Sequence, residues 1–452
     1  MGAFFDGAAE EGISWTLIGG LPIVYLRDPV LIRQLFVQNA DSISRCGSQT
    51  KGPFGTGKRI VRDALITADG EVARQWHADM LRGFHNRPPL EVFHPKLVAI
   101  ARRHVQALLQ AGTGDNLQLY LQNYALDTVW CLELGLENAW QYTGTPEWMA
   151  PFHQYVQMAA SMSYPLQHIL MNLACGKPFE APDPRENTLH ATIDRIVLQL
   201  LQDHSDLLNP EAPPPAGEEM SFLRRISKET GGTAGQPITP DVLSHARQIF
   251  SHGFPAPTLL LLWTLRELSL HPDMMQRLRA ELRHNPWRHR PTPQLLSQLP
   301  YLDAVVNEVL RLYPPIPTTA RAIDCAVGLK TRSGTGVVLP VDARAAVSLD
   351  MLHRDSQVWG ADAEVFRPER WEGLRGHVLE GECKYLPFLT GPRRCPCSGY
   401  VMQQAKVLLA VLVLEADLEV TNVAAVRKRL GPVSEPTASL AFSVRALNCT
   451  VV

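Results

Sequence analysis

The chain has almost no net charge: 43 Lys and Arg against 45 Asp and Glu leave −2 over 452 residues. It therefore lacks the global basic field with which a protein displaces counterions from nucleic acid. Long apolar runs are missing as well, since neither Thr258 to Thr264 nor Val407 to Leu414 comes near the ~20 residues a membrane helix needs. The first residues, Met1-Gly2-Ala3-Phe4-Phe5-Asp6, lack the basic-then-apolar order of a signal peptide. Asp6 also stands where a myristoylation signal wants Ser or Thr. Eight cysteines, at positions 46, 131, 175, 325, 383, 395, 397 and 449, show no framework spacing, which suits a reducing compartment and predicts no structural disulfides. Repeats, low-complexity tracts and domain linkers are absent. What remains, with 45% hydrophobic and 19% charged residues, is a globular chain able to bury a large core. The expectation is one domain over 1–452, cytoplasmic as it stands and monomeric, with no nucleic-acid partner.

Residues Trp15 to Leu26 read as two short strands turning at Gly19-Gly20, and Asp28-Pro29 as the start of a helix to about Val37. Ser42 to Thr67 is rich in Gly, Ser and Lys, lacks periodicity and reads as a long loop. Helical periodicity then dominates: Glu71–Phe84, Pro95–Gly112, Leu117–Leu136, Trp148–Leu173 and Glu186–His204, with Pro-rich loops at Pro182-Asp183-Pro184 and Pro210 to Pro215. Thr239-Pro240-Asp241 opens a long helix through Ser269. The predicted class is mainly α with a smaller β region, a β-rich N-terminal part at about 12–70 and a helical remainder.

One stretch stands apart: Phe388-Leu389-Thr390-Gly391-Pro392-Arg393-Arg394-Cys395-Pro396-Cys397-Ser398-Gly399, followed at once by the apolar run Tyr400 to Leu414. A loop that presents a cysteine and passes straight into a helix holds the sulfur near a helix N-terminus, where backbone N–H groups and the macrodipole favour the thiolate. Cys395-Pro396-Cys397 reads alternatively as a redox or zinc element, though tetrahedral zinc needs about four ligands and no second pair occurs at ligand spacing. Two small buried hydrophobes are the plain alternative.

The pattern Phe388-x-x-Gly391-x-Arg393-x-Cys395 resembles the haem-binding loop of the cytochrome P450 family. That resemblance implies Cys395 as axial thiolate ligand of haem b iron and Arg393 as partner of a haem propionate. Cys397 departs from it, because the family usually has glycine there. Further motifs follow the family's order: Glu308-x-x-Arg311 with the stop Pro314-Pro315, then Phe366-Arg367-Pro368-Glu369-Arg370-Trp371, then the cysteine loop. The resemblance implies that Glu308, Arg311 and Arg370 form a buried charged triad and that Arg321, on a strand, binds a propionate. Where the family helix carries Trp or His and then Arg, alignment through Asp69-Gly70 places Ala73 and His77, leaving His77 as a propionate donor or a solvated histidine.

The long helix departs further. Oxygen-activating family members usually have an acid–alcohol pair that relays protons. The corresponding run here is His252-Gly253-Phe254-Pro255-Ala256-Pro257-Thr258, with Pro255 at the acid position and Ala256 at the alcohol position. Both prolines remove N–H donors, so this segment is expected to bend or open beside the haem. His252 and Thr258 remain as candidates for proton delivery, each with a structural alternative: His252 as a histidine satisfied in the bundle, Thr258 bonding back to its own turn.

The implied function is oxidation of an apolar or amphipathic small molecule, in secondary metabolism, with O2 and electrons from a separate ferredoxin or flavoprotein docking at the Cys395 face. Lys384, Arg393, Arg394 and Lys406 read there as a basic patch that would steer an acidic partner. Loss of the acid–alcohol pair keeps a haem-thiolate peroxygenase, an isomerase or dehydratase, and a substrate-supplied relay group in view; a haem-binding sensor is the non-enzymatic alternative. The family has more chain ahead of its first sheet, which reserves membrane association for a longer natural form.

Overall fold

The computed structural model describes residues 12–18, 21–45, 65, 68–85, 93–131, 185–203, 222–229, 238–430 and 433–447. Most of the Ser42–Thr67 loop, the Gly19-Gly20 turn, the Trp148–Leu173 helix, the end of the Leu117–Leu136 helix and the two Pro-rich loops lie outside these residues.

The N-terminal strands form as the alternation requires. β1 (Ile13–Ile18) and β2 (Leu21–Leu26) pair antiparallel from Ile13↔Leu26 to Ile18↔Leu21. Asp28 then caps α1 (Pro29–Arg33) by accepting the Val30 N–H at 2.6 Å, with Pro29 in the first turn, where its missing donor costs nothing. The main helices that follow are α2 (Gly70–His85), α3 (His94–Ala111), α4 (Leu117–Val129), α5 (Arg185–Asp203), α6 (Phe222–Glu229), α7 (Pro240–His252), α8 (Pro255–Leu270), α9 (Pro272–His284), α10 (Pro300–Leu312) and α11 (Ser398–Glu415).

Two of these helices are apolar all round and therefore central. α8 is buried continuously from Pro257 to Leu268, and α11 from Val407 to Val413. They share one core with α3, α4, α9 and α10. Each buried Leu there stabilises the fold by about 1.5–3 kcal/mol relative to exposure. Among the described residues no helix is long and apolar enough to cross a membrane.

The long helix expected from Thr239 to Ser269 is two helices, broken at Gly253-Phe254. The cause is the anticipated one. Pro255 and Pro257 have no N–H for the carbonyls of Ser251 and Gly253, and a proline favours the first position of a new helix. Thr258 N–H to Phe254 O, at 3.1 Å, restarts the ladder.

The remainder after residue 70 is not simply helical. β3 (Ile43–Ser44) joins β5 (Thr318–Ile323) and β8 (Arg344–Ser348) to complete a five-stranded sheet of order β1-β2-β8-β5-β3, in which β2 runs parallel to β8. β6 (Val327–Lys330) and β7 (Gly336–Leu339) form a hairpin, β4 (Thr113–Gly114), β12 (Phe442–Ala446) and β9 (Ala416–Val420) a second sheet, and β10 (Lys428–Leu430) and β11 (Ser434–Pro436) a pair. β5 and β8 escape sequence reading because alanine fills them, at 320, 322, 345 and 346, and alanine is depleted in strands. Tertiary pairing, not local preference, makes them strands.

Candidate functional site

Glu308 and Arg311 lie one turn apart on α10 with both side chains fully buried, which sets them apart from an ordinary surface pair. Arg311 Nε and Nη2 donate to the two Glu308 oxygens at 2.9 and 2.8 Å, a bidentate contact. Arg370, in the 3-10 turn Pro368–Trp371, adds its Nε to Oε1 at 3.2 Å. Trp371 Nε1 donates to Oε2 and the Arg367 backbone N–H to Oε1, each at 3.0 Å. Other guanidinium N–H groups reach backbone carbonyls: Arg311 Nη1 those of His353 and Ala363, Arg370 those of Trp359 and Asp362. Five donors on one carboxylate offset the desolvation that an ion pair in a core incurs.

This cluster is tied to the cysteine loop through Tyr385 and His353, two side chains that sequence reasoning missed. Trp371 packs against Tyr385, ring centroids 4.8 Å apart, and the Tyr385 hydroxyl donates to Asn307 Oδ1 at 3.0 Å. The next residue, Leu386, donates its N–H to His353 Nε2 at 2.8 Å. His353 accepts there as a neutral imidazole, its pKa pushed down to about 3 by burial and by the Arg311 charge.

From Leu386 the loop turns on Leu389 (φ +63°) and Gly391 (φ +70°). The first is an uncommon conformation for a side-chain-bearing residue, of a kind that clusters at functional sites. At Gly391 a Cβ would stand 2.2 Å from the Phe36 carbonyl oxygen, so only glycine lets the loop close on the N-terminal segment. Phe388 packs on the helical core, and its carbonyl accepts the Cys395 N–H at 2.8 Å. Cys395 is half-buried just ahead of α11, whose N-cap is Cys397. Its thiol is shifted down from the ordinary value, first by a hydrogen bond from the Cys397 side chain, with further help from the Cys397 N–H and the charges of Arg394 and Arg45; burial acts the other way. The shift favours the thiolate, the form of cysteine that ligates a metal.

Arg321 lies on β5, all but fully buried. Its Nη1 donates to Thr319 Oγ1 and the Ala320 carbonyl at 3.0 and 2.8 Å, while its buried Nη2 has no partner. Burial, then the neighbouring charges of Arg45 and Arg393, pushes this guanidinium well below its ordinary value, with Asp69 acting the other way. An orphaned donor among three arginines costs free energy unless an anion answers it. The two carboxylates of haem b suit this cluster, as its iron suits the Cys395 sulfur.

Arg393 is anchored through Nη2, which donates to the Leu65 and Ala68 carbonyls at 2.9 Å each. His77 is half-buried on α2, with its Nε2 2.8 Å from the Arg394 carbonyl, and Ala73 is buried on the same helix. His77 is thus not a freely solvated side chain. Arg45 had no signal in a patternless loop; its N–H bonds Asp69 Oδ1 at 2.7 Å.

The basic patch read around Cys395 is compensated. Arg394 pairs with Glu380 at 2.9 Å, Lys384 with Glu382 at 2.7 Å, and Lys406 with Asp303. Glu380 and Glu382 stand close by in sequence and were left uncounted, whereas Asp303 is brought to Lys406 by the fold; paired charges leave little net field.

At the broken helix, Gly253 is crowded: a Cβ would meet Val129 Cγ2 at 2.9 Å. Pro255 and Ala256 are half-buried. Thr258 is buried, and its hydroxyl donates to the Phe254 carbonyl at 2.7 Å. His252 is the last residue of α7; its side chain lies outside the described set.

A cysteine shifted toward the thiolate just ahead of a helix, a buried arginine cluster with an unanswered donor and a mainly α frame are the features of a haem-thiolate protein. The cytochrome P450 family model matches residues 10–438, and the chain belongs to that family, whose cofactor is haem b. It is 31% identical over 246 residues to cytochrome P450 monooxygenase claU of Ampulloclitocybe clavipes, covering 51% of this chain and 46% of that protein. To secologanin synthase 2 of Catharanthus roseus it is 32% identical over 203 residues, 44% of this chain and 37% of that one. The chain thus spans less than half the length of these curated relatives.

Proposed function

We propose that the chain is a haem-thiolate monooxygenase acting on an apolar or amphipathic small molecule of secondary metabolism, with electrons from a separate ferredoxin or flavoprotein at the Cys395 face. The observation that carries this reading is the Cys395 sulfur, shifted toward the thiolate and set in a loop whose entry is braced by the buried His353 imidazole. Haem, when bound, supplies the activation of dioxygen.

The chain's own residues have separable tasks. Cys395 would hold the haem iron through its sulfur. Arg321 and Arg393, with Arg45 beside them, would hold the propionates through guanidinium–carboxylate bonds. His77, bonded through Nε2 to the loop, offers Nδ1 as a further contact. Phe388 and Gly391 shape the loop, and Glu308, Arg311 and Arg370 fix the floor on which it rests.

Proton movement is where this chain differs from its family. Pro255 and Ala256 bring no titratable or hydroxyl group, and the Thr258 hydroxyl is committed to the Phe254 carbonyl. The task falls to His252, to water in the opened turn between α7 and α8, and to polar groups on the substrate. Ala256→Thr is accordingly expected to change product formed per NADPH consumed several-fold, since positioned proton transfer contributes about 10²–10⁴-fold in other enzymes. An unchanged ratio would remove the alcohol position from the mechanism.

The function itself is tested by comparing turnover with redox partner and reductant, with peroxide alone and with neither. Product only in the first case is expected. The missing relay favours peroxygenase chemistry as the second reading, and product with peroxide but none with the partner would establish it. Product without any oxidant would reject both.

A further inference from the structure

Between α1 and β3 the chain makes a π-helical turn, Gln34–Gln38, closed by the Asn39 N–H on the Gln34 carbonyl at 3.0 Å. Such turns are rare and frequently mark functional sites. This one carries Phe36, a buried residue that meets two parts of the candidate haem site at once. Its carbonyl oxygen is the atom on which the cysteine loop closes at Gly391. Its ring lies beneath Arg321, whose guanidinium carbon stands 5.2 Å from the ring centroid. β3 follows the turn and pairs with β5 at Ala322 and Ile323, next to Arg321, so the chain on either side holds ring and guanidinium in register.

Arg321 needs that support. Thr319 and Ala320 hold its Nη1, while its Nη2 has no partner among the described residues. The charges of Arg45 and Arg393 repel it, with Asp69 opposing them. We infer that Phe36 is a positioning residue for the haem carboxylates: the negative face of its ring keeps the Arg321 guanidinium charged and in place before an anion arrives. The inference rests on the haem-thiolate reading and deepens it. A cation over an aromatic face is attracted by the ring quadrupole, more strongly when both are removed from water. An aliphatic side chain of similar size has no such face. Holding a binding group ready in this way raises affinity, because the ligand is spared the cost of ordering its partner.

The experiment follows haem loss from the holoprotein to an excess of a haem-scavenging protein. The reduced carbon monoxide spectrum confirms that each variant is loaded and thiolate-ligated. Phe36→Leu is compared in the wild-type and Arg321→Gln backgrounds. In the first, haem loss is expected to accelerate about tenfold, the size of a partly desolvated cation–π contact. In the second, where the guanidinium is gone, the change should stay within about twofold, the range in which independent sites add. Lost packing alone would act equally in both. Ring-fluorinated phenylalanines placed at position 36 keep the shape and weaken the negative face, so haem loss should quicken with each added fluorine. Equal acceleration by Phe36→Leu in both backgrounds, or a rate indifferent to fluorination, would overturn the role of Phe36. A wild-type protein lacking the thiolate band would instead overturn the haem-thiolate reading, and this inference with it.

Discussion

Glu308→Ala is expected to leave little folded protein at ambient temperature. The substitution leaves the fully buried Arg311 without an acidic partner, and Arg370, nearly as buried, with Asp362 alone. Breaking a buried ion pair by removing one partner costs about 3–5 kcal/mol, a large share of the ~5–15 kcal/mol that holds a domain together. The Trp371 indole and the Arg367 N–H lose their acceptor at the same time. Because Trp371 and His353 brace the segment entering the cysteine loop, haem retention should fall along with stability. The contrast is Arg277, which bonds Glu369 and Glu372 on the surface at 2.8 and 2.9 Å; Arg277→Ala should cost at most about 1 kcal/mol. Denaturant or thermal midpoints of the two variants check this. A Glu308→Ala midpoint as close to wild type as that of Arg277→Ala would show that the buried cluster does not support the fold.

Local chemistry was legible in the sequence, and pairing across long distances was not. Pro255 and Pro257 announced the break in the long helix because a missing N–H is a property of the residue itself. The cysteine loop announced itself through its order of Phe388, Gly391, Arg393 and Cys395, and the structure gives Gly391 a steric reason in the Phe36 carbonyl. Glu308, Arg311 and Arg370 were named from motifs, but nothing local told a buried cluster from a surface pair; the carbonyls that complete it come from residues 353 to 365. Arg45 lay hidden in a loop without pattern, and its place near Arg321 and Cys395 is set by tertiary packing. In the patch around Arg394, Lys384 and Lys406, only Asp303 came from afar; Glu380 and Glu382 stood in the same stretch of sequence. The alanine-rich strands β5 and β8 carry Arg321 into the core through pairings that no window of sequence contains.

Cys395→Ala is expected to abolish thiolate ligation outright, while Cys397→Ala preserves it. Only Cys395 sits between the Phe388 carbonyl that fixes its backbone and the two donors of Cys397 that favour its ionised form. Cys397 lies two residues along, at the helix N-cap. The two alanine variants are comparable in size and differ only in which sulfur is lost, so they separate ligation from general disruption of the loop. Soret intensity lost equally in both would mean that the loop, not one sulfur, holds the haem.

The most direct measurement is the reduced carbon monoxide difference spectrum of the wild-type protein beside these two variants. The account predicts the thiolate-type red-shifted Soret band in the wild type and in Cys397→Ala, and its absence in Cys395→Ala. A wild-type spectrum without that band, or one that survives loss of the Cys395 sulfur, would contradict it.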